Sequence, residues 1–321
     1  MVSEHIRVVV AGAGFAALRD HLGLALPGVV TQAVEADILR RNGSEASVLI
    51  PTMSRIDAEI MDRVAGLRLI QQWGAGLEGV DLTAAAERGI SVANVPSAGT
   101  GNAASVAEWC IMAAIALSRR LPELEENIRQ GGLWGGPIGR GLTGRTAGIL
   151  GLGGIGQAVA VRLKPFGMRL IGLSRRPNAI VADQLGLEWI GGEGDLAEFL
   201  GQSEYLFLCV PLRPSTQGMI GAREVALLPL GACIVNAARG GLIDAEALIE
   251  GLGSGHLWGA ALDVFTIEPL DTRSALLNTR GLIATPHIAG VTDVSYRDIA
   301  RRVADNILRL HSNSPLENRV V

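Results

Sequence analysis

Three polar residues stand where apolar runs end. Arg239 follows Ile234-Val-Asn-Ala-Ala, Glu268 lies five residues beyond Ala260-Ala-Leu-Asp263, and His287 follows Ala284-Thr-Pro. Together these side chains suit reduction of a ketone next to a carboxylate. A guanidinium grips the carboxylate and polarises the oxo group. An imidazole protonates the oxygen as hydride arrives at carbon. A carboxylate beside the imidazole fixes its tautomer and favours the acid form. Each residue also has a plainer use: Arg239 as a helix cap, Glu268 as a surface acid before Pro269, His287 as a loop histidine. The other histidines, His5, His21, His256 and His311, lack a Thr-Pro-His setting and read as structural.

A hydride donor is implied upstream. Thr146-Ala-Gly-Ile-Leu-Gly-Leu-Gly-Gly-Ile-Gly reads as a strand entering a G-x-G-x-x-G turn and then a helix. Gly151 allows the tight turn, Gly153 lets backbone approach a pyrophosphate, and Gly156 packs helix on strand. A second candidate is Val8-Val-Val-Ala-Gly12-Ala-Gly14-Phe-Ala-Ala17, with Glu35 where a ribose-binding acid would fall. It has no chemistry downstream and reads as the first turn of a nucleotide-free domain. Eighteen residues beyond Gly156 the next strand ends in Ser174-Arg175-Arg176. An acid there would hold the ribose hydroxyls of NAD; a hydroxyl and two guanidinium groups suit a 2′-phosphate. NADP(H) is therefore expected over NAD(H), which stays the alternative.

These residues need strand ends to carry them. Apolar runs at Arg7–Val10, Ser47–Ile50, Arg68–Gln71 and Ser91–Ala93 form one series of candidate strands. A second comprises Ala147–Leu150, Arg169–Leu173, Tyr205–Val210, Ala232–Asn236, Gly259–Leu262 and Leu282–Thr285. Continuous apolar strands alternating with helical stretches signal parallel sheets covered on both faces. The expected fold is α/β, with two Rossmann-like, doubly wound parallel-sheet domains. The boundary falls near Pro96–Asn102, before an apolar helix of about Ala103 to Arg120 that Ser105 and Glu108 begin as a capping box. That helix is apolar on both faces, which points to burial all round, against a second subunit. Ile299, Val303, Ile307 and Leu310 form one face of a last helix, after the second series has ended, so the chain should return to the first domain. The expected division is 1–100 completed by 291–321, a discontinuous substrate domain, and 101–290, the dinucleotide-binding domain.

Composition narrows the class. Of 321 residues 48% are apolar and 19% charged, which suits a globular core. Net charge is −4 and aromatics make up 4%, so neither a duplex footprint nor a single-strand stacking surface is expected. Cys110, Cys209 and Cys233 lie far apart in apolar runs and read as core thiols in a reducing compartment, with no metal site. Val8 to Leu18 has the hydropathy of a signal core, but Glu4 precedes it and no cationic stretch does. No run has the length and polarity of a membrane span. A cytoplasmic protein is expected.

The chain resembles the D-isomer-specific 2-hydroxyacid dehydrogenase family over nearly its whole length. The resemblance rests on Gly144-Arg-Thr-Ala-Gly-Ile-Leu-Gly-Leu-Gly-Gly-Ile-Gly, on Cys209-Val-Pro-Leu-Arg-Pro-Ser-Thr216 and on the three segments named first. It implies two Rossmann-like domains and a homodimer formed through the cofactor domain. It also implies that Arg239 binds substrate, that His287 is the acid/base with Glu268 as its partner, and that Asp263 meets the nicotinamide amide. Further cofactor contacts are implied at Gly154, Ile155, Val210, Pro211, Thr216, Ala237, Ala238, Ala289 and Gly290. In Gln72-Trp-Gly74-Ala75-Gly76 the backbone N–H groups of Ala75 and Gly76 would take the substrate carboxylate. Asn102 resembles an asparagine of related formate dehydrogenases, which carry glutamine where this chain has Glu268, so formate oxidation is not expected. Ser174-Arg175-Arg176 is similar to NADP-using glyoxylate/hydroxypyruvate reductases. The boundary loop, Ser97 to Ser105, is longer than in many members. The expected reaction is NADPH-dependent reduction of a small 2-oxo acid to the D-2-hydroxy acid. The alternatives are a 3-phosphoglycerate dehydrogenase-like enzyme and a non-catalytic dinucleotide-sensing regulator.

Overall fold

The computed structural model describes residues 6–12, 16–132 and 134–321. Gly14 of the N-terminal glycine motif and His5 lie outside them. The chain divides into two compact units, Met1–Asn102 with Thr292–Val321, and Ala103–Val291.

In the first unit the sheet strands are β1 (Arg7–Ala11), β2 (Val30–Val34), β3 (Val48–Ile50), β4 (Leu69–Gln71) and β5 (Ser91–Ala93). They pair in parallel in the order β2-β1-β3-β4-β5. A helix at Asp293–His311 returns to this unit after the second sheet is complete. Thr292 caps it, its hydroxyl accepting from Ser295 N–H at 3.2 Å. Ile299, Val303, Ile307 and Leu310 pack into one core with Val8, Val10, Leu18 and Leu22. Each such burial is worth about 2 kcal/mol, so this face alone explains why the segment docks. The chain end then runs antiparallel beside β5 through an Ala93–Arg319 bridge.

In the second unit the strands are β6 (Thr146–Leu150), β7 (Arg169–Leu173), β8 (Trp189–Gly191), β9 (Tyr205–Leu208), β10 (Ala232–Asn236), β11 (Leu257–Leu262) and β12 (Leu282–Ala284). They form one parallel sheet in the order β8-β7-β6-β9-β10-β11-β12. Strands β6, β9 and β10 are buried at every residue, as a sheet covered on both faces demands. Strand order reverses between β6 and β9, the switch point at which such sheets hold ligands beyond their carboxyl ends.

Three expectations need correction. The helix at the boundary spans Asn102–Ser118, so Ser105 and Glu108 lie inside it and do not form its cap. Ser105 is buried and Glu108 pairs with Arg162 at 3.2 Å, so both side chains serve tertiary contacts. The boundary loop accordingly ends before Asn102. Two edge strands, β2 and β8, were not anticipated: Val30-Thr-Gln-Ala-Val is half exposed, and β8 has three residues. A helix at Leu121–Arg129 was missed as well; Leu121, Leu124 and Ile128 share one of its faces, but it buries no residue and carries three acids, so it is only a short, polar element. Among the described residues no helix is long and apolar enough to cross a membrane.

Candidate active site

The carboxyl ends of six strands of the second sheet carry the residues singled out from the sequence. Gly151 follows β6, Ser174 follows β7, Val210 lies just past β9, Arg239 past β10, Asp263 follows β11 and His287 lies past β12. Strand register brings the last three ends side by side, Asn236 opposite Leu262 and Leu262 opposite Ala284.

His287 and Glu268 meet. Nδ1 of His287 lies 2.8 Å from Glu268 Oε2, and the side chains are 38% and 14% exposed. A carboxylate can only accept, so Nδ1 carries the proton and Nε2 is the free end of the ring. Glu268 is itself oriented by Phe265 N–H, which donates to Oε1 at 2.7 Å. The Arg239 segment is tied to the same turn through backbone. A Cβ on Gly240 would fall 1.9 Å from the Phe265 carbonyl carbon, so only glycine permits this approach. Arg239 donates from Nη1 to Ala238 O at 2.7 Å, and its own carbonyl accepts from Asn236 Nδ2 at 2.9 Å.

Asp263 builds the turn that presents the imidazole. It is 1% exposed. Oδ1 accepts from Thr285 Oγ1 at 2.6 Å and Ile288 N–H at 2.8 Å, and Oδ2 from Ala289 N–H at 2.7 Å. Its carbonyl accepts from His287 N–H at 2.8 Å. His287 has φ +56, a left-handed conformation that costs a non-glycine residue about 1–2 kcal/mol. The bonds to a buried carboxylate are worth about 1.5–3 kcal/mol each and outweigh that cost. Burial pushes the Asp263 carboxyl above the usual carboxylate range, against those hydrogen bonds and the charge of His287. Sequence reading missed Thr285 and Phe265 as parts of the site. The threonine of Thr-Pro-His was its only visible trace.

The glycine turn fits a dinucleotide. Gly151 has φ +97, and a Cβ there would meet Cys209 O at 2.7 Å and Val210 Cγ1 at 2.8 Å. A Cβ on Gly156 would strike Gly151 O at 1.9 Å, whereas one on Gly153 would meet no atom within 4 Å. Gly153 therefore faces open space, at the N-cap of the helix Gly154–Leu163. Backbone N–H groups of that first turn, from Gly154, Ile155 and Gly156, are the donors a pyrophosphate needs. At the end of β7, Ser174 is half-buried while Arg175 and Arg176 are exposed. Thr216 closes the loop after β9, accepting from Arg213 N–H and donating to Pro211 O, each at 2.8 Å. Ala237 and Ala238 line the loop before Arg239, and Ala238 N–H donates to Asn236 Oδ1 at 3.0 Å. Ala289 is buried with its N–H spent on Asp263, and Gly290 follows it half-buried.

The residues ascribed to substrate in the first unit lie at the carboxyl ends of its strands and beyond. Ala75 and Gly76 form a loop after β4. Asn102 donates to Ser295 Oγ at 3.1 Å. The remaining described histidines are occupied elsewhere: His21 by Ala17 O, His256 by Val225 O and His311 by Ser47 Oγ.

The chain is similar to known proteins. The model of the D-isomer specific 2-hydroxyacid dehydrogenase NAD-binding domain matches residues 111–289. A glyoxylate reductase of Thermococcus gammatolerans is 35% identical over 304 residues, covering 92% of this chain and 88% of that protein. A D-3-phosphoglycerate dehydrogenase of Archaeoglobus fulgidus is 31% identical over 91% of this chain, which spans only 54% of that longer protein. A D-isomer specific 2-hydroxyacid dehydrogenase of Xanthobacter autotrophicus Py2, solved in complex with NADPH, superposes with a TM-score of 0.73 at 28% identity, covering 98% of each chain. Matched over more than half its length by the family model and over most of it by whole relatives, the chain belongs to the D-isomer specific 2-hydroxyacid dehydrogenase family.

Proposed function

We propose that the protein reduces a small 2-oxo acid, of the size of glyoxylate or hydroxypyruvate, to the D-2-hydroxy acid with NADPH. One observation carries the reading: an imidazole paired through Nδ1 to a part-buried carboxylate, its Nε2 free, on the strand-end rim that also holds a complete dinucleotide turn. The reduced nicotinamide, when bound, supplies the hydride. His287, doubly protonated for this step, delivers the Nε2 proton to the substrate oxygen as negative charge develops there and is left as the neutral Nδ1–H ring. Glu268 accepts from Nδ1–H and so orients the ring with Nε2 outward. Arg239 binds and polarises the 2-oxo acid. Ser174, Arg175 and Arg176 take the 2′-phosphate; both guanidinium groups are exposed and, among the described residues, paired with no carboxylate. The NADPH held by the Xanthobacter relative is in keeping with this choice.

The likeness to a D-3-phosphoglycerate dehydrogenase favours a second substrate, the 2-oxo acid of a phosphorylated glycerate. A homodimer through the second unit is part of the proposal, because Met112 and Ile115 of the boundary helix are exposed in the single chain. Three free thiols suit a reducing compartment such as the cytoplasm. Initial rates of NADPH and NADH oxidation with glyoxylate, hydroxypyruvate, pyruvate and 3-phosphohydroxypyruvate test the reading. The expected result is a higher kcat/KM for NADPH with glyoxylate or hydroxypyruvate. Dinucleotide binding without oxidation across the panel would point to the sensing regulator instead.

A further inference from the structure

In the first unit the loop after β4 has each of three successive carbonyl groups tied by a separate donor. Val95 N–H donates to Gly74 O at 2.8 Å, Asn94 Nδ2 to Ala75 O at 2.8 Å, and Gln72 Nε2 to Gly76 O at 2.7 Å. A trans peptide is planar, so fixing a carbonyl fixes the following N–H in the opposite direction. The three bonds therefore aim the N–H groups of Ala75, Gly76 and Leu77. Among the described residues no group accepts from any of these three. Loop N–H groups left free in this way are available to an anion.

Two of the three tethers are side-chain amides, and that of Gln72 is itself held. Gln72 Nε2 also donates to Thr52 O at 3.1 Å, and its Oε1 accepts from Trp73 N–H at 2.9 Å. The amide thus joins the loop after β3 to the loop after β4. Asn94 sits just past β5, where the chain end runs alongside: Val320 N–H donates to Val92 O at 2.7 Å. Both side chains are half-buried and can be replaced by apolar groups of like volume.

We propose that Asn94 and Gln72 are positioning residues for substrate: they aim the Gly76 and Leu77 N–H groups at the carboxylate of a small 2-oxo acid. The proposal rests on the reading of the substrate given above. Asn94→Leu and Gln72→Met remove the donors and keep the volume. In each, KM for glyoxylate should rise about tenfold, with kcat within about threefold and KM for NADPH unchanged. A KM for glyoxylate within twofold of the parent overturns the proposal, as does a parallel fall in kcat and NADPH affinity, which marks a general structural role.

A second measurement needs neither variant nor turnover. In the whole chain labelled with 15N-glycine and 15N-leucine, NADPH-saturated, oxamate serves as a non-reacting isostere of a 2-oxo acid. It should shift the Gly76 and Leu77 amide resonances in a saturable way, and amides that do not move overturn the proposal. If no 2-oxo acid is reduced but these amides respond, the substrate reading fails and the positioning role stands.

Discussion

Asp263→Asn keeps the shape of a fully buried side chain and changes what it can accept. The remaining oxygen is best placed where Oδ1 was, keeping Thr285 Oγ1 and Ile288 N–H, which turns the new NH2 towards Ala289 N–H. Leaving that buried N–H without an acceptor costs about 1–3 kcal/mol. Against this, burial drives the Asp263 carboxyl above its ordinary range, and the neutral amide escapes that penalty. The two effects oppose, so unfolding free energy should change by less than about 2 kcal/mol. Their balance depends on pH. A carboxyl raised in the fold binds its proton more tightly there, so its ionisation costs stability only above the unfolded value, about 4. The stability of the variant relative to the parent should therefore improve as pH rises from there through the raised value. Catalysis does not share the compensation. Ile288 and Ala289 hold the turn that keeps His287 at φ +56, and a displacement of about 1 Å costs on the order of a hundredfold in rate. Urea unfolding and steady-state kinetics on one preparation read both quantities. A kcat within threefold of the parent would refute the clamp, and a stability loss above about 4 kcal/mol would show a folding defect instead.

Glu268→Gln leaves an acceptor for Nδ1 but replaces a charge-assisted bond with a weaker neutral one, so reductive kcat should fall about tenfold or more with KM for NADPH unchanged; an unchanged kcat removes Glu268 from the proton relay. Gly240→Ala forces a methyl to 1.9 Å from Phe265 backbone and should cost about 3 kcal/mol or more in urea unfolding, with no relief from side-chain repacking. Arg175→Ala with Arg176→Ala should raise KM for NADPH at least tenfold and leave KM for NADH within about twofold; equal changes for both cofactors would place these arginines outside the 2′-phosphate site.

How much of this was legible in the sequence follows from which physical signals are local. The second sheet announced itself because runs such as Ala147–Leu150 and Ala232–Asn236 are buried on both faces and hence apolar throughout. Edge strands carry no such mark, which is why Val30-Thr-Gln-Ala-Val escaped notice. Gly151 and Gly156 were readable because each does something that only glycine can do at that spacing, and Gly153 because it completes the motif between them. Glu268 and His287 were readable as residue types, but their meeting depends on two turns that no periodicity encodes. Thr285 was hidden for a related reason, since its hydroxyl matters only once Asp263 has been brought beside it. Asn94 and Gln72 look like ordinary polar residues at strand ends until the carbonyls they hold are seen.

The most direct measurement is chiral analysis of the product formed from hydroxypyruvate and NADPH carrying deuterium at both C4 positions of the nicotinamide, with the parent protein beside His287→Ala. The account predicts D-glycerate carrying deuterium at C2 from the parent, and at least a thousandfold less of it from the variant although NADPH binding is kept. L-glycerate, product without deuterium, or undiminished turnover by the variant would contradict it.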